Sequence, residues 1–195
     1  MQYAWRVANS WSELIELLDA KNVIFTEGLT DSEVLRIESG FGFRFPDDLR
    51  DFLQAALPRG FSFPDWRSGD ESTLTELLNL PLNGILFDVE HNGFWLPEWG
   101  PRPETIAEAG VLVEQHVRQA PKLIPINGHR MMPDQPRSAG NPVLSIHQTD
   151  IIFYGCDLDD YLRHEFDLPD RKPWPSEIKQ IEFWDVDRWQ AVRWK

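Results

Sequence analysis

An α+β fold is what this sequence predicts, and three observations carry the prediction. Helical periodicity dominates the first part of the chain, and strand-like runs gather between Leu123 and Tyr154. No strand–helix–strand repeat alternates along the chain. The runs Val143-Leu144-Ser145-Ile146 and Ile151-Ile152-Phe153-Tyr154 are separated by a short polar turn, too short for a crossover, so they pair antiparallel. The 195 residues suit one domain and bury a sizeable core without staples. The expectation is a single domain over 1–195 with a mainly antiparallel sheet backed by helices.

The elements follow in order. Ser10, Trp11, Ser12 and Glu13 form a capping-box pattern ahead of Leu14, Leu17 and Leu18, which gives a helix to about Ala20. Val23, Ile24 and Phe25 suggest a short strand. Thr30 and Glu33 repeat the capping box, and Val34, Ile37 and Phe41 line one face of a helix that Gly40 and Gly42 end. Pro46 opens a third helix carrying Leu49, Phe52, Leu53 and Leu57, closed by Pro58 and Gly60. Ser72 caps a short helix to Leu80. Ile85, Phe87 and Val89 then alternate as in a strand that meets an Asn92-Gly93 turn. A long helix covers 104–120, with Ile106, Val113 and Val117 on its apolar side. Leu123, Ile124 and Ile126 form a strand, and Gln148, Thr149 and Asp150 turn the hairpin described above. A helix covers 157–166, Pro169, Pro173 and Pro175 break the chain, and 176–194 fits helix and strand equally well.

Nineteen Lys and Arg stand against 32 Asp and Glu, a formal charge of −13. Such a surface repels nucleic-acid phosphates and anionic membranes. It steers a basic protein toward it, or it simply keeps the chain in solution. No apolar run approaches the ~20 residues a membrane span needs. The start of the chain shows no signal-peptide pattern and Cys156 is the only cysteine, so a cytoplasmic protein is expected. Nine tryptophans and fifteen prolines are many for this length. No basic stripe interleaves with the tryptophans, so they read as packing residues, with a few exposed ones available as partner anchors.

Asp157, Asp159 and Asp160 are the sharpest cluster. An EF-hand starting at Asp157 would need Gly at its sixth position and Glu at its twelfth, where Leu162 and Leu168 stand. Asp157 therefore reads as a helix cap, and Asp159 and Asp160 as carboxylates favoured by the helix dipole. The histidines His91, His116, His129, His147 and His164 form no zinc motif, and no P-loop, nucleophile elbow or dinucleotide fingerprint is present. No catalytic residue, cofactor or metal is expected.

From Leu29 to Gly60 the pattern is Ile37-Glu38, Phe41-Gly42, Phe45-Pro46-Asp47, then a helix with Phe52-Leu53. This resembles the opening motif of the SUKH superfamily. The stretches Pro121 to His129 and Gly140 to Phe166 are similar to its second half, and the common core covers about 29–166. One departure is Pro58-Arg59-Gly60, where many members have an Asn-Gly-Gly-like turn. The N-terminal helix and the Trp-rich tail lie outside that core. The resemblance implies one curved sheet backed by helices. It also implies an immunity-type protein that neutralises a bacterial toxin, in many cases a nuclease, or a regulatory interaction protein such as the fungal members. No catalytic residues come with it.

Two function classes compete. The first is a binding module whose partner is a basic toxin domain, met by an acidic face including Asp157, Asp159, Asp160 and Glu165 with an aromatic anchor, Trp95 or Trp99 among the candidates. The second is a small-ligand protein or enzyme with a cleft lined by Trp95, Trp99, His91 and Glu90.

Overall fold

The computed structural model describes residues 11–193. Its elements run α1 Ser12–Ala20, β1 Ile24–Glu27, α2 Asp31–Phe41, α3 Asp47–Ala55, β2 Ala56–Arg59, α4 Glu71–His91, a 3-10 turn Pro97–Trp99, and α5 Ile106–Gln119. They continue with β3 Leu123–Asn127, β4 Arg130–Pro133, β5 Val143–His147, β6 Asp150–Gly155, α6 Leu158–Glu165 and α7 Val186–Arg193. The fold is α+β in one domain, and every strand pairing is antiparallel. The strands fall into two sheets, β1-β2 and β3-β4-β5-β6. The expected hairpin forms, with Ile146 opposite Ile151 and His147 opposite Asp150.

Local chemistry sets the helix ends. At α2 the Thr30 hydroxyl accepts from the Glu33 amide at 3.2 Å, and the Glu33 carboxylate accepts from the Thr30 amide at 2.8 Å. Gly42 closes the helix at φ +67, a conformation that side chains resist. Glu38 is buried near this end. Its carboxylate accepts from the Phe45 amide and from Arg44, each at 3.0 Å, which ties α2 to the loop before α3. Pro46 stands at the N-cap of α3. For α1 the N-cap is Trp11, and the Ser10 of the expected capping box lies outside the described residues.

The largest departure is α4. It is one helix of 21 residues capped by Asp70, whose carboxylate accepts from the Thr73 amide, whereas Ser72 lies inside it. The strand expected at Ile85, Phe87 and Val89 is its last part. Ile85 and Val89 are four apart and share the buried face, while Phe87 points out, so period two and period 3.6 coincide over these residues. Gly84 lets the β5–β6 turn rest on this helix, because a Cβ there would stand 2.7 Å from Gln148 Cα. The buried Asp88 carboxylate then accepts from the Thr149 amide at 2.9 Å and its hydroxyl at 2.5 Å, fastening the turn. Two short strands escape the sequence pattern. β2 takes Ala56 and Leu57 from the end of the expected third helix, because its partner β1 supplies a ladder. β4 has only two apolar residues, Met131 and Met132, to announce it.

The four-stranded sheet separates two cores. Alternate residues of each strand point to opposite clusters: Ile124, Met132 and Val143 to one, Leu123, Met131 and Leu144 to the other. α1, α2, α3 and α6 fill the first cluster, while α4, α5 and α7 bury residues such as Ile85, Val113 and Trp189 in the second. The Trp-rich tail thus supplies core: Trp184 and Trp189 are buried, and the Trp189 indole donates to the Phe183 carbonyl at 2.6 Å.

Candidate partner-binding face

α6 begins after the tight end of β6. A Cβ on Gly155 would stand 2.7 Å from Tyr161 Cα, so only glycine lets the helix fold back so closely. The Asp157 side chain accepts from the Asp160 amide at 2.8 Å and caps the helix, as the sequence implies. Replacing Asp157 with Ala should cost about 1 kcal/mol. Calcium and magnesium should leave the melting temperature of both forms unchanged, and an ion that stabilises only the unsubstituted protein would refute the capping reading.

The remaining carboxylates of the cluster point different ways. Asp159 faces outward and pairs with Arg163 at 2.8 Å. Asp160 turns inward and is buried. It accepts from Arg171 at 2.8 Å, the Cys156 amide at 3.0 Å and the Trp174 indole at 2.6 Å. Burial pushes its carboxyl up, but those bonds outweigh it and leave the group below the usual carboxylate range. The neighbouring Cys156 thiol goes the other way, up to about 11, through burial and the charges of Asp157 and Asp160. Glu165 lies toward the sheet and pairs at 3.4 Å with Arg130, whose guanidinium sits 3.6 Å over the Tyr154 ring. Three of the four carboxylates therefore already have a cationic partner.

The uncompensated acidity lies beside α6. α1, α3 and α6 bury their apolar sides in the same cluster, and Trp11 packs edge-on against Phe52 at 5.4 Å. Glu13, Glu16, Asp47 and Asp51 are exposed on the outer sides of α1 and α3, and none makes an ion pair among the described residues. Asp157 is near enough to Asp48 to help raise its carboxyl, an effect led by burial. Glu13 contributes to the raised pKa of Arg163, behind the Asp159 hydrogen bond and against the desolvation that lowers it.

Trp174 is an exposed aromatic beside α6. It is 39% exposed and lies over the start of α6, held by its bond to Asp160 and flanked by Arg171. The sequence marks it only by its neighbours Pro173 and Pro175, which stiffen the segment. Trp95 and Trp99 sit elsewhere, packed at 5.2 Å in the second cluster. Trp99 is buried. Trp95 is half-buried, donates to the Gly100 carbonyl at 2.8 Å and lines a cavity of about 440 Å³ with Asp88 and Thr149. His91 stacks on Phe87 at 4.3 Å, and neither it nor Glu90 lines that cavity, so the four residues of the expected cleft do not converge.

Among the described residues no group of three or more His, Cys, Asp or Glu side chains is placed to hold a metal ion, and no helix is long and apolar enough to cross a membrane. No family model, curated protein or solved structure matches the chain, so its likeness to the SUKH superfamily rests on the sequence patterns alone.

Proposed function

We propose that the chain is an immunity-type binding protein that neutralises a basic toxin domain, a nuclease being the favoured kind, by direct contact in the cytoplasm. The observation that carries this reading is the exposed, unpaired acidity of Glu13, Glu16, Asp47 and Asp51 on α1 and α3, helices that share a core with α6, where the half-exposed Trp174 offers an anchor. A nuclease domain is positively charged where it meets phosphates, so an acidic face competes with its substrate. Charge alone gives fast, weak, salt-sensitive association, and a tight inhibitor also needs an apolar anchor. Asp157 and Asp159 stand at the start of α6. Asp160 acts through the positions of Arg171 and Trp174 and makes no contact of its own. The SUKH likeness supports the same reading, and no catalysis is assigned to the chain.

The test takes a basic nuclease toxin domain identified in a neighbouring open reading frame, in stopped-flow association at low and high salt. The on-rate should fall about tenfold or more as salt rises, as steered encounters do. Joint reversal to Lys at Asp47 and Asp51 should reproduce that fall at low salt, and Trp174→Ala should act mainly on the off-rate. A salt-independent on-rate would remove steering from the reading, and failure to form a complex would remove the reading itself.

A further inference from the structure

A second concave feature lies between the middle of α4 and the carboxyl end of α5. It is a groove of about 360 Å³. Its apolar walls come from Phe41, Leu78, Leu82, Leu123 and Trp184, which belong to the facing margins of the two cores. That volume falls within the range of small-molecule sites, about 300–1,000 Å³, and apolar walls with a few polar groups are their usual lining.

The charges of the groove set it apart from the rest of the molecule. Asp and Glu make up 32 of the 195 residues, yet none is among the twelve that line it, and the two charged ones are Arg118 and Lys122. The Lys122 ammonium donates to the Phe41 carbonyl at 2.9 Å, which fixes it at the groove and leaves two N–H donors for another acceptor. Arg118 pairs with Glu114 at 3.2 Å, but its side chain is 74% exposed, so the pair is a weak surface one that a better-placed anion displaces. Thr75 and Asn79 add neutral polar groups on the α4 wall. The carbonyl end of α5 lies beside these cations and opposes an anion, so selection for one rests on the two side chains.

We infer that this groove binds a small amphipathic carboxylate, its apolar body against Leu78, Leu82 and Trp184 and its anionic end at Lys122 and Arg118. The site is independent of the toxin-binding reading, since it shares none of the residues that reading uses. A monocarboxylate fits better than an elongated peptide, because the volume is that of a small molecule and the cations are confined to residues four apart. It also fits better than a cationic or neutral amphiphile, which would leave both cations unanswered.

Isothermal titration with octanoate, octanol and octylammonium tests it on the full chain. Octanoate should bind one to one, and octanol and octylammonium should bind at least about tenfold more weakly, the discrimination expected of charge-assisted hydrogen bonds. Joint Arg118→Gln and Lys122→Gln substitution should remove that preference while apolar binding persists. Asn79→Trp, at an exposed position on the groove wall, should block all three ligands and leave the melting temperature near that of the unsubstituted protein. Equal binding of the three probes, octanoate binding that survives Asn79→Trp, or no octanoate binding to the folded chain would each overturn the assignment. Toxin association should be unaffected by Asn79→Trp, which separates failure here from failure of the immunity reading.

Discussion

Replacing Trp189 with alanine should destabilise the protein by about 4 kcal/mol, the range for a large aromatic lost from a core. Trp189 is fully buried. It stacks on Phe94 at 5.4 Å and Trp184 at 5.8 Å, and meets Trp99 and Phe183 edge-on at 6.1 and 5.6 Å. Its removal leaves a cavity among rings too rigid to collapse into it, and strips the Phe183 carbonyl of its indole donor. Trp189→Phe keeps most of the volume and should cost less than half as much. Urea denaturation of both variants measures the difference. A loss under 1 kcal/mol for the alanine variant would mean that the tail adds little to the core and that the second cluster stands without it.

Asp160→Ala should cost about 2 kcal/mol, as expected when a buried acceptor of several hydrogen bonds is deleted. The Cys156 amide and the Trp174 indole lose their acceptor, and Arg171 loses its counter-charge. Acidification offers a second readout. The folded Asp160 carboxyl lies below its unfolded value, so its contribution is complete above an unfolded pKa of about 4 and is lost as the pH falls through the folded value. Asp160→Asn should therefore be less stable than the unsubstituted protein at neutral pH, and the gap should narrow in acid. Parallel melting curves from pH 7 to pH 2 check this, and a gap that stays constant would sink the argument. Trp174 emission should also change in the Asn variant, since its indole loses an ionised acceptor.

The helix caps and the hairpin were legible in the sequence because their chemistry is local. Thr30 and Glu33 need only each other, Asp157 needs the amide three residues on, and the β5–β6 turn needs only its own length. α4 was misread because Ile85, Phe87 and Val89 satisfy two periodicities, and only the sheet against which Ile85 and Val89 pack chooses between them. β2 was invisible for a related reason: its ladder partner lies 29 to 35 residues earlier. At the candidate face the acidic cluster was visible as a cluster, but not which carboxylate turned inward. That choice is made by Arg171 and Trp174, eleven and fourteen residues further along a proline-broken segment. That α1 packs beside α3 is shown only by the contact of Trp11 with Phe52, forty-one residues apart.

The path of residues 166–185 has a consequence for how the sheet ends. α6 buries its apolar side in the first core and α7 in the second, on the opposite face, and between them the segment crosses the end of the sheet, where Lys179 donates to the Ala139 carbonyl and to the Asn141 side chain, each at 3.0 Å, and the Trp184 indole donates to the Pro121 carbonyl at 2.7 Å. Asp160 pins the near end through Arg171 and Trp174. Gln190 pins the far end by donating to the Ile151 carbonyl at 2.8 Å and to Asp150 at 3.0 Å. The segment is a belt buckled at both ends and drawn across the strand ends, from the close of β6 to the start of β3. The two cores are therefore joined by a covalent strap at the strand ends as well as by the sheet between them.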